Sequence, residues 1–319
     1  MRTSLISSLI GAAAALAAQP AAADPYSLCW SDGQHLTCGR VDPLVPPIDR
    51  VTDVDVLGIP STVAGPGGRQ DSIVRGADQH VRHAWAFGAY WSDGGWADWG
   101  TPATGATLGN PELIVAGANR VAGYVRATTG SRLRPQDKIW VHTRDLVRNT
   151  GSWRSLGRPV TLDGTGGVSN AAAAAMSNDV LTAYVHVGDH LWETYSIDGG
   201  ATYVAWYDLG APADAPHFDS DPDATALDSA SVDLVVHASD GSIRRWRWRA
   251  STGAAWSVLP AAPAGVALRN PTVTSSSGGL IVVALDAATT KAYQWREGET
   301  SWTAAYPANY VSTAVDIVP

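Results

Sequence analysis

One unit recurs along this chain and constrains what it can fold into: a strand, a glycine-bearing turn, a second strand carrying tryptophan, and a proline exit. The fullest copy is 188–212, GDHLWETYSIDGGATYVAWYDLGAP. Its first run, 190–196, alternates and is rich in aromatic and β-branched residues, which suits a pleated strand. Asp198-Gly199-Gly200 supplies the positive-φ positions of a tight hairpin. A second strand follows over 202–209 around Trp206, and Gly210 and Pro212 end it.

Further copies run over 80–102, 138–159, 242–260 and 291–307. Their anchors, Trp96, Trp153, Trp206, Trp256 and Trp302, stand roughly 57, 53, 50 and 46 residues apart, the period of four-stranded propeller blades. The upstream halves also align. Segments 111–127, 170–187, 223–239 and 271–287 each offer a first strand of small residues, a polar turn and an apolar second strand. Taken alone, the alanines of 171–175 favour helix. Their register against the other copies makes them an inner strand. No long run places apolar residues at i, i+3, i+4 and i+7.

The two ends complete the pattern. Residues 310–319 read as a first strand with nothing after it. Residues 26–38 give two strands around Gly33-Gln34, and 54–60, VDVLGIP, matches WYDLGAP as an outer strand, with 41–50 as a loop. The expected fold class is all-β: a six-bladed β-propeller with four-stranded blades, its ring closed by the C-terminal strand joining the N-terminal strands. Closure of this kind removes the free sheet edges that invite aggregation. Residues 24–319 read as a single domain.

The 45% hydrophobic content is enough for a large core, and the net charge of -8 argues against a phosphate backbone or an anionic membrane as partner. Arg2, the apolar run 5–18 and Ala21-Ala22-Ala23 predict a secretory signal over 1–23. No later stretch is apolar enough to span a membrane. The expected address is secreted and extracellular, where disulfides persist. With Gly33-Gln34 at a hairpin corner, Cys29 and Cys38 stand opposite on paired strands, within disulfide reach.

The chemistry-bearing residues are sparse. Residues 196–203 match the Asp-box pattern S-x-D-x-G-x-T-[WFY], in which Ser196 and Asp198 cap the hairpin backbone. Asp219, Asp221 and Asp223 form D-x-D-x-D, which suits a hard cation such as calcium; a solvated acidic loop and a glycosidase acid/base pair are the alternatives. The eight histidines make no zinc or hydrolase signature, His80 and His83 fall on opposite faces of a strand, and no cofactor is implied. The chain has 14 Trp and 10 Tyr against 2 Phe, and their flat apolar faces with polar tips suit sugar rings. One Trp per repeat is a packing anchor. Trp192, Trp246, Trp248 and Trp295 go beyond it.

The blade-closing segment 151–159, GSWRSLGRP, together with Asp240-Gly241-Ser242-Ile243 and Asp189-His190-Leu191-Trp192, resembles the bacterial propeller lectins of the PLL type over nearly the whole mature chain. The chain is also similar in shape to six-bladed fucose-binding lectins. Their sites take an Arg from the second strand and a Glu from the third strand of one blade, with an aromatic from a neighbour. Glu193 matches the Glu position and Arg120 the Arg position, in different blades. Asp-box sialidase propellers are a third resemblance, with Gly58-Ile59-Pro60 standing near the place of their arginine-proline motif.

These resemblances imply glycans bound in inter-blade clefts, stacked on Trp192 or Trp246 and hydrogen-bonded by Glu193, Asp240 or Arg244. Two alternatives stay open. One is a glycoside hydrolase using carboxylates near the axis such as Asp71, Asp219 or Asp221. The other is a protein-interaction scaffold. The oligomeric state is left open.

Overall fold

The strand-rich pattern becomes six antiparallel sheets in the computed structural model. It describes residues 27–32, 35–40, 48–51, 55–65, 68–87, 90–91, 96–131, 134–160, 167–214, 217–276, 279–289, 291–305 and 316–318. Sheet 1 takes β1 (Ser27–Asp32), β2 (His35–Arg40) and β3 (Ile48–Val51). Sheet 2 takes β4 (Val56–Ala64), β5 (Arg69–Gly76), β6 (Val81–Phe87), β7 (Tyr90–Trp91) and β8 (Ala97–Gly100). Sheet 3 takes β9 (Thr107–Leu108), β10 (Glu112–Gly117), β11 (Arg120–Ser131), β12 (Arg134–Asp145) and β13 (Thr150–Gly157). Sheet 4 takes β14 (Ala172–Ala175), β15 (Leu181–Val187), β16 (His190–Ser196) and β17 (Tyr207–Gly210). Sheet 5 takes β18 (Asp223–Asp228), β19 (Ser231–His237), β20 (Ile243–Arg249) and β21 (Gly253–Val258). Sheet 6 takes β22 (Leu268–Ser276), β23 (Gly279–Asp286), β24 (Ala292–Arg296) and β25 (Thr303–Ala304). The last strand, β26 (Asp316–Val318), pairs with β1, placing Ser27 opposite Val318.

Sheets 2 and 3 hold five strands rather than the expected four. In each, two short strands share one edge. β7 and β8 both pair with the same side of β6, and β9 and β10 with the same side of β11. The alanine run is a strand, β14, fully paired with β15.

The outer strand of sheet 1 corrects the sequence reading. It is β3, inside the segment read as a loop, whereas 56–64 is the first strand of sheet 2. The match between VDVLGIP and WYDLGAP is local. Gly58 and Gly210 both take positive φ, 81° and 84°. That shared conformation does not say which edge of a sheet it occupies. A register shift between Leu57 and Ser61 leaves Pro60 where no ladder N–H is needed.

The core lies between successive sheets. Side chains alternate along each strand, so each sheet sends one set of residues to its predecessor and the other to its successor. Sheets 2 and 3 meet through Ile73, Trp99, Leu108, Leu113, Val121 and Val125. Sheets 4 and 5 meet through Tyr184, Leu191, Val232, Leu234 and Trp246. The repeating tryptophans add a polar latch: the indole N–H of Trp153 donates to Trp99 O at 2.8 Å, and that of Trp302 to Pro260 O at 2.7 Å.

The secretory signal, the Gly33-Gln34 corner and residues 310–315 lie outside the described residues. Among the described residues no helix is long and apolar enough to cross a membrane. Cys29 is fully buried, and its backbone pairs directly with that of Cys38.

Candidate functional site

Two concave places stand out among the described residues. The larger is a cleft of about 160 Å³ between sheets 2 and 3. Sheet 2 supplies Arg69, Asp71 and Phe87; sheet 3 supplies Val115, the turn at Gly117-Ala118-Asn119, Val121 and Leu146. Arg69 and Asp71 are two apart on β5, so they share a face, and β6 brings Trp85 opposite Asp71 and Phe87 opposite Arg69.

Asp71 is almost fully buried and saturated with donors. The Arg69 guanidinium grips it with two bonds of 2.7 Å, and His83 Nε2 donates at 2.7 Å. Burial pushes the Asp71 carboxyl up, but the hydrogen bonds and charges of His83 and Arg69 outweigh this and hold it below its ordinary value. Burial lowers His83, and Asp71 only partly offsets that. The triad is therefore guanidinium, carboxylate and neutral imidazole. The guanidinium lies 5.3 Å from the Trp85 ring and 5.8 Å from Phe87, whose ring is 55% exposed. Behind it, His83, Trp99 and His142 stack in series, and burial brings His142 down to about 4.

The second place is a pocket of about 70 Å³ lined by the starts of β10, β14 and β18 and by the irregular segments of β4 and β22. Asn110, Asn170 and Asp221 stand just ahead of their strands, whereas Asn270 lies inside β22 at positive φ. The side chains of Asn110, Asn170 and Asp221 staple one sheet to the next. Asn110 Oδ1 accepts from Ile59 N at 3.3 Å. Asp221 accepts from Asn170 N at 2.8 Å and Asn170 Nδ2 at 2.6 Å. Asp223 reaches the following sheet instead, accepting from Val273 N at 2.6 Å. Its carboxyl is pushed up to about 7 by burial, with only backbone N–H groups opposing.

The structure separates most of the residues expected to act together. Trp192 and Glu193 are adjacent on β16 and so face opposite ways. Trp192 packs toward sheet 3, and Glu193 turns toward sheet 5. Glu193 is 1% exposed, between the hydroxyls of Tyr184 (3.1 Å) and Tyr207, and burial pushes its carboxyl up to about 7. Trp246 does meet this group, 5.8 Å from the Tyr184 ring, but at 3% exposure it is a packing residue. Trp246 offers no open stacking face, and Trp192 is partly buried against sheet 3.

Asp240 and Arg244 do come together, at 2.7 Å. Arg244 is also held by Asp214 at 2.6 Å, so its guanidinium is already committed. Arg120 lines the cleft at its sheet 3 turn, but its guanidinium is spent on backbone oxygens, Ala116 O at 3.2 Å and Asn178 O on the sheet 4 side at 3.0 Å.

The three aspartates do not converge. Asp219 pairs with His237, Asp221 staples the preceding sheet and Asp223 the following one. Among the described residues no three His, Cys, Asp or Glu side chains gather to hold a metal. The carboxylates grouped for hydrolysis are also apart: Asp71 lines the cleft, and Asp221 the pocket at the strand starts.

Arg69, His83 and Phe87 were missed. The usable signal is Arg-x-Asp opening a second strand beside a third strand with His, Trp and Phe at alternate positions. The recurrent Asn/Asp-Pro steps at 110–111, 221–222 and 270–271 would have pointed to the pocket.

No family model and no curated protein matches the chain in sequence. Solved structures do match in shape. The AofleA protein of Arthrobotrys oligospora, solved as a variant with three arginines replaced by alanine, aligns with TM-score 0.57 at 16% identity over 82% of this chain and 75% of that one. The GH93 α-L-arabinofuranosidase of Fusarium graminearum, in complex with arabinobiose, aligns with TM-score 0.57 at 13% identity, covering 82% and 84%. The fucose-binding lectin of Aleuria aurantia, described as a six-bladed β-propeller, aligns with TM-score 0.48 at 17% identity, covering 77% and 76%. Six antiparallel sheets packed in succession give the chain an all-β propeller fold.

Proposed function

We propose that this chain is a secreted glycan-binding propeller that holds a sugar in the cleft between sheets 2 and 3. The observation that carries the reading is one open recess combining a guanidinium–carboxylate pair with a half-exposed aromatic ring. Sugars present an apolar C–H face and a hydroxyl rim. Phe87 suits the first, and Arg69, Asp71 and the turn amides around Asn119 suit the second. Because Asp71 and His83 fix Arg69 before any ligand arrives, little side-chain freedom is lost on binding.

The architecture that goes with this reading is a ring of six blades closed by β26 beside β1. It is supported by the pairing of those strands and by contacts that run in order along β4, β10, β14, β18, β22 and β26 and return to β4. In that ring the pocket at the strand starts is axial. A second reading, glycoside hydrolysis, is favoured by one observation: Glu112 shares that axial pocket with Asp223, a carboxyl near neutrality.

A glycan-array screen of residues 24–319, followed by calorimetry, tests the first reading. Saturable binding that Phe87→Ala abolishes supports the cleft. Binding indifferent to that change moves the site elsewhere. A bound glycan that is cleaved, with loss of cleavage in Glu112→Gln, installs the hydrolase.

A further inference from the structure

Residues 244–249, RRWRWR, place four arginines on one strand, β20. Alternation divides them. Trp246 and Trp248 pack toward sheet 4, and Arg244 turns the same way, held by Asp214 and Asp240. Arg245, Arg247 and Arg249 therefore face sheet 6. Arg245 lies 5.8 Å from the Trp295 ring of that sheet.

Two carboxylates answer these three guanidiniums. Asp233, buried on β19, accepts through one oxygen from Arg245 Nε at 2.6 Å and from Arg247 Nε at 2.8 Å. Glu297 of sheet 6 accepts from Arg245 Nη2 at 3.2 Å, and the same oxygen stands 2.6 Å from Arg247 Nη2. Arg249 is left with the weakest contacts. Its Nη1 lies 3.5 Å from the other Asp233 oxygen and 3.4 Å from Trp248 O. Its Nε and Nη2 make no hydrogen bond among the described residues, and its side chain is 25% exposed. The carboxylates of the adjoining turns are spent locally: Asp228 on Ala230 N and Ser231 Oγ, and Glu299 on Arg296 N.

The fan thus carries one positive charge in excess, on a chain whose net charge is -8. The Nε and Nη2 of Arg249 form a planar fork that matches two oxygens of a carboxylate or a sulfate. A neutral hydroxyl would accept one bond and leave the charge unanswered. We infer that the Arg247–Arg249 end of the fan is a subsite for the carboxylate or sulfate group of an acidic sugar, with Asp233 and Glu297 holding the neighbouring guanidiniums in place. The choice of a sugar rests on the glycan-binding reading. The oxyanion rests on the arginines alone, and none of them lines the cleft between sheets 2 and 3.

Calorimetry of the full chain at pH 7 and low salt, with glucuronic acid, a glucose sulfate, glucose and sodium sulfate, tests the inference. At least one acidic sugar is expected to bind, glucose to bind at least tenfold more weakly, and added sodium chloride to weaken the acidic sugar by screening its charge. Which acid binds tells carboxylate from sulfate. Arg249→Gln is expected to weaken the acidic sugar about fivefold or more. Its melting temperature should stay close to the parent's, because long, partly exposed contacts contribute little to stability. Arg249→Lys keeps the charge and loses the fork, so its affinity should fall between the two. Both variants should leave any glycan binding sensitive to Phe87→Ala untouched. Equal binding of glucose, no effect of Arg249→Gln, sodium sulfate binding as tightly as the acidic sugars, or no binding of either acidic sugar overturns the inference. So does a large drop in melting temperature with unchanged binding, which would make the fan a structural network only. Absence of acidic-sugar binding with the Phe87-dependent glycan intact sinks this subsite alone. The reverse result sinks the cleft alone.

Discussion

Trp206 of sheet 4 donates its indole N–H to the backbone oxygen of Leu156 in sheet 3, at 2.8 Å. The anchors Trp153, Trp206 and Trp302 are thus polar ties between neighbouring sheets, added to the area their rings bury. Trp206→Phe keeps most of that area and removes the donor. The expected loss is about 1 kcal/mol from the bond itself, plus a smaller packing term. Equilibrium urea unfolding that shows no change would make the latch energetically silent.

Asp71 binds Arg69 and His83 at once while almost fully buried. Asp71→Asn leaves the guanidinium without its counter-charge and offers His83 a poorer acceptor. Breaking a buried pair from one side costs about 3–5 kcal/mol. The variant is expected to melt well below the parent and to lose cleft binding. Arg69→Gln, which leaves His83 to satisfy Asp71, should lose binding with a smaller stability cost. A scanning calorimetry comparison checks the order of the two.

Glu193 carries a carboxyl raised to about 7 by burial between Tyr184 and Tyr207. Its folded-state pKa lies above that of the unfolded chain. The folded form therefore holds an extra proton between about pH 4.5 and 7, and stability falls as pH rises through that window. The full span is worth about 3 kcal/mol. His142, lowered to about 4, works oppositely, adding stability as pH rises between about 4 and 6.5. The informative quantity is the difference between Glu193→Gln and the parent. The variant is expected to gain relative stability steadily from pH 4.5 to 7 and then level off. Parallel melting curves over that range would show the carboxylate unprotonated throughout.

Cys29 is buried and in register with Cys38. We expect these two cysteines to be bridged under oxidising conditions, with the mass of the chain 2 Da below its reduced value. Cys38→Ser is expected to destabilise by about 2–3 kcal/mol. Two thiols titrating freely in the native protein would remove the bridge.

The clearest failure of the sequence reading is on β16. Trp192 stands out as a tryptophan beyond the packing anchor and Glu193 as matching a lectin position, yet a strand sends adjacent side chains to opposite faces. The same rule, applied to β5 and β6, brings Arg69, Asp71, His83, Trp85 and Phe87 to one face and finds the cleft. The outer strand of sheet 1 failed for another reason. Leu57-Gly58 and Leu209-Gly210 share a backbone conformation, and conformation carries no information on which edge is paired.

The sequence by itself determined the repeating strand–turn–strand units, the all-β class, the strand made of alanines and the capping of the 196–203 turn. These depend on contacts within a few residues: Gly200 N reaches Ser196 Oγ at 2.8 Å, and Thr202 N reaches Asp198 Oδ1 at 2.8 Å. The tertiary structure alone decided which tryptophans are sealed, which carboxylates are spent and where a recess stays open. Asp223, for example, is committed to an amide 50 residues away. Whether a side chain is a ligand group or a staple depends on which neighbouring sheet fills the space beside it, and that is settled only when successive sheets pack.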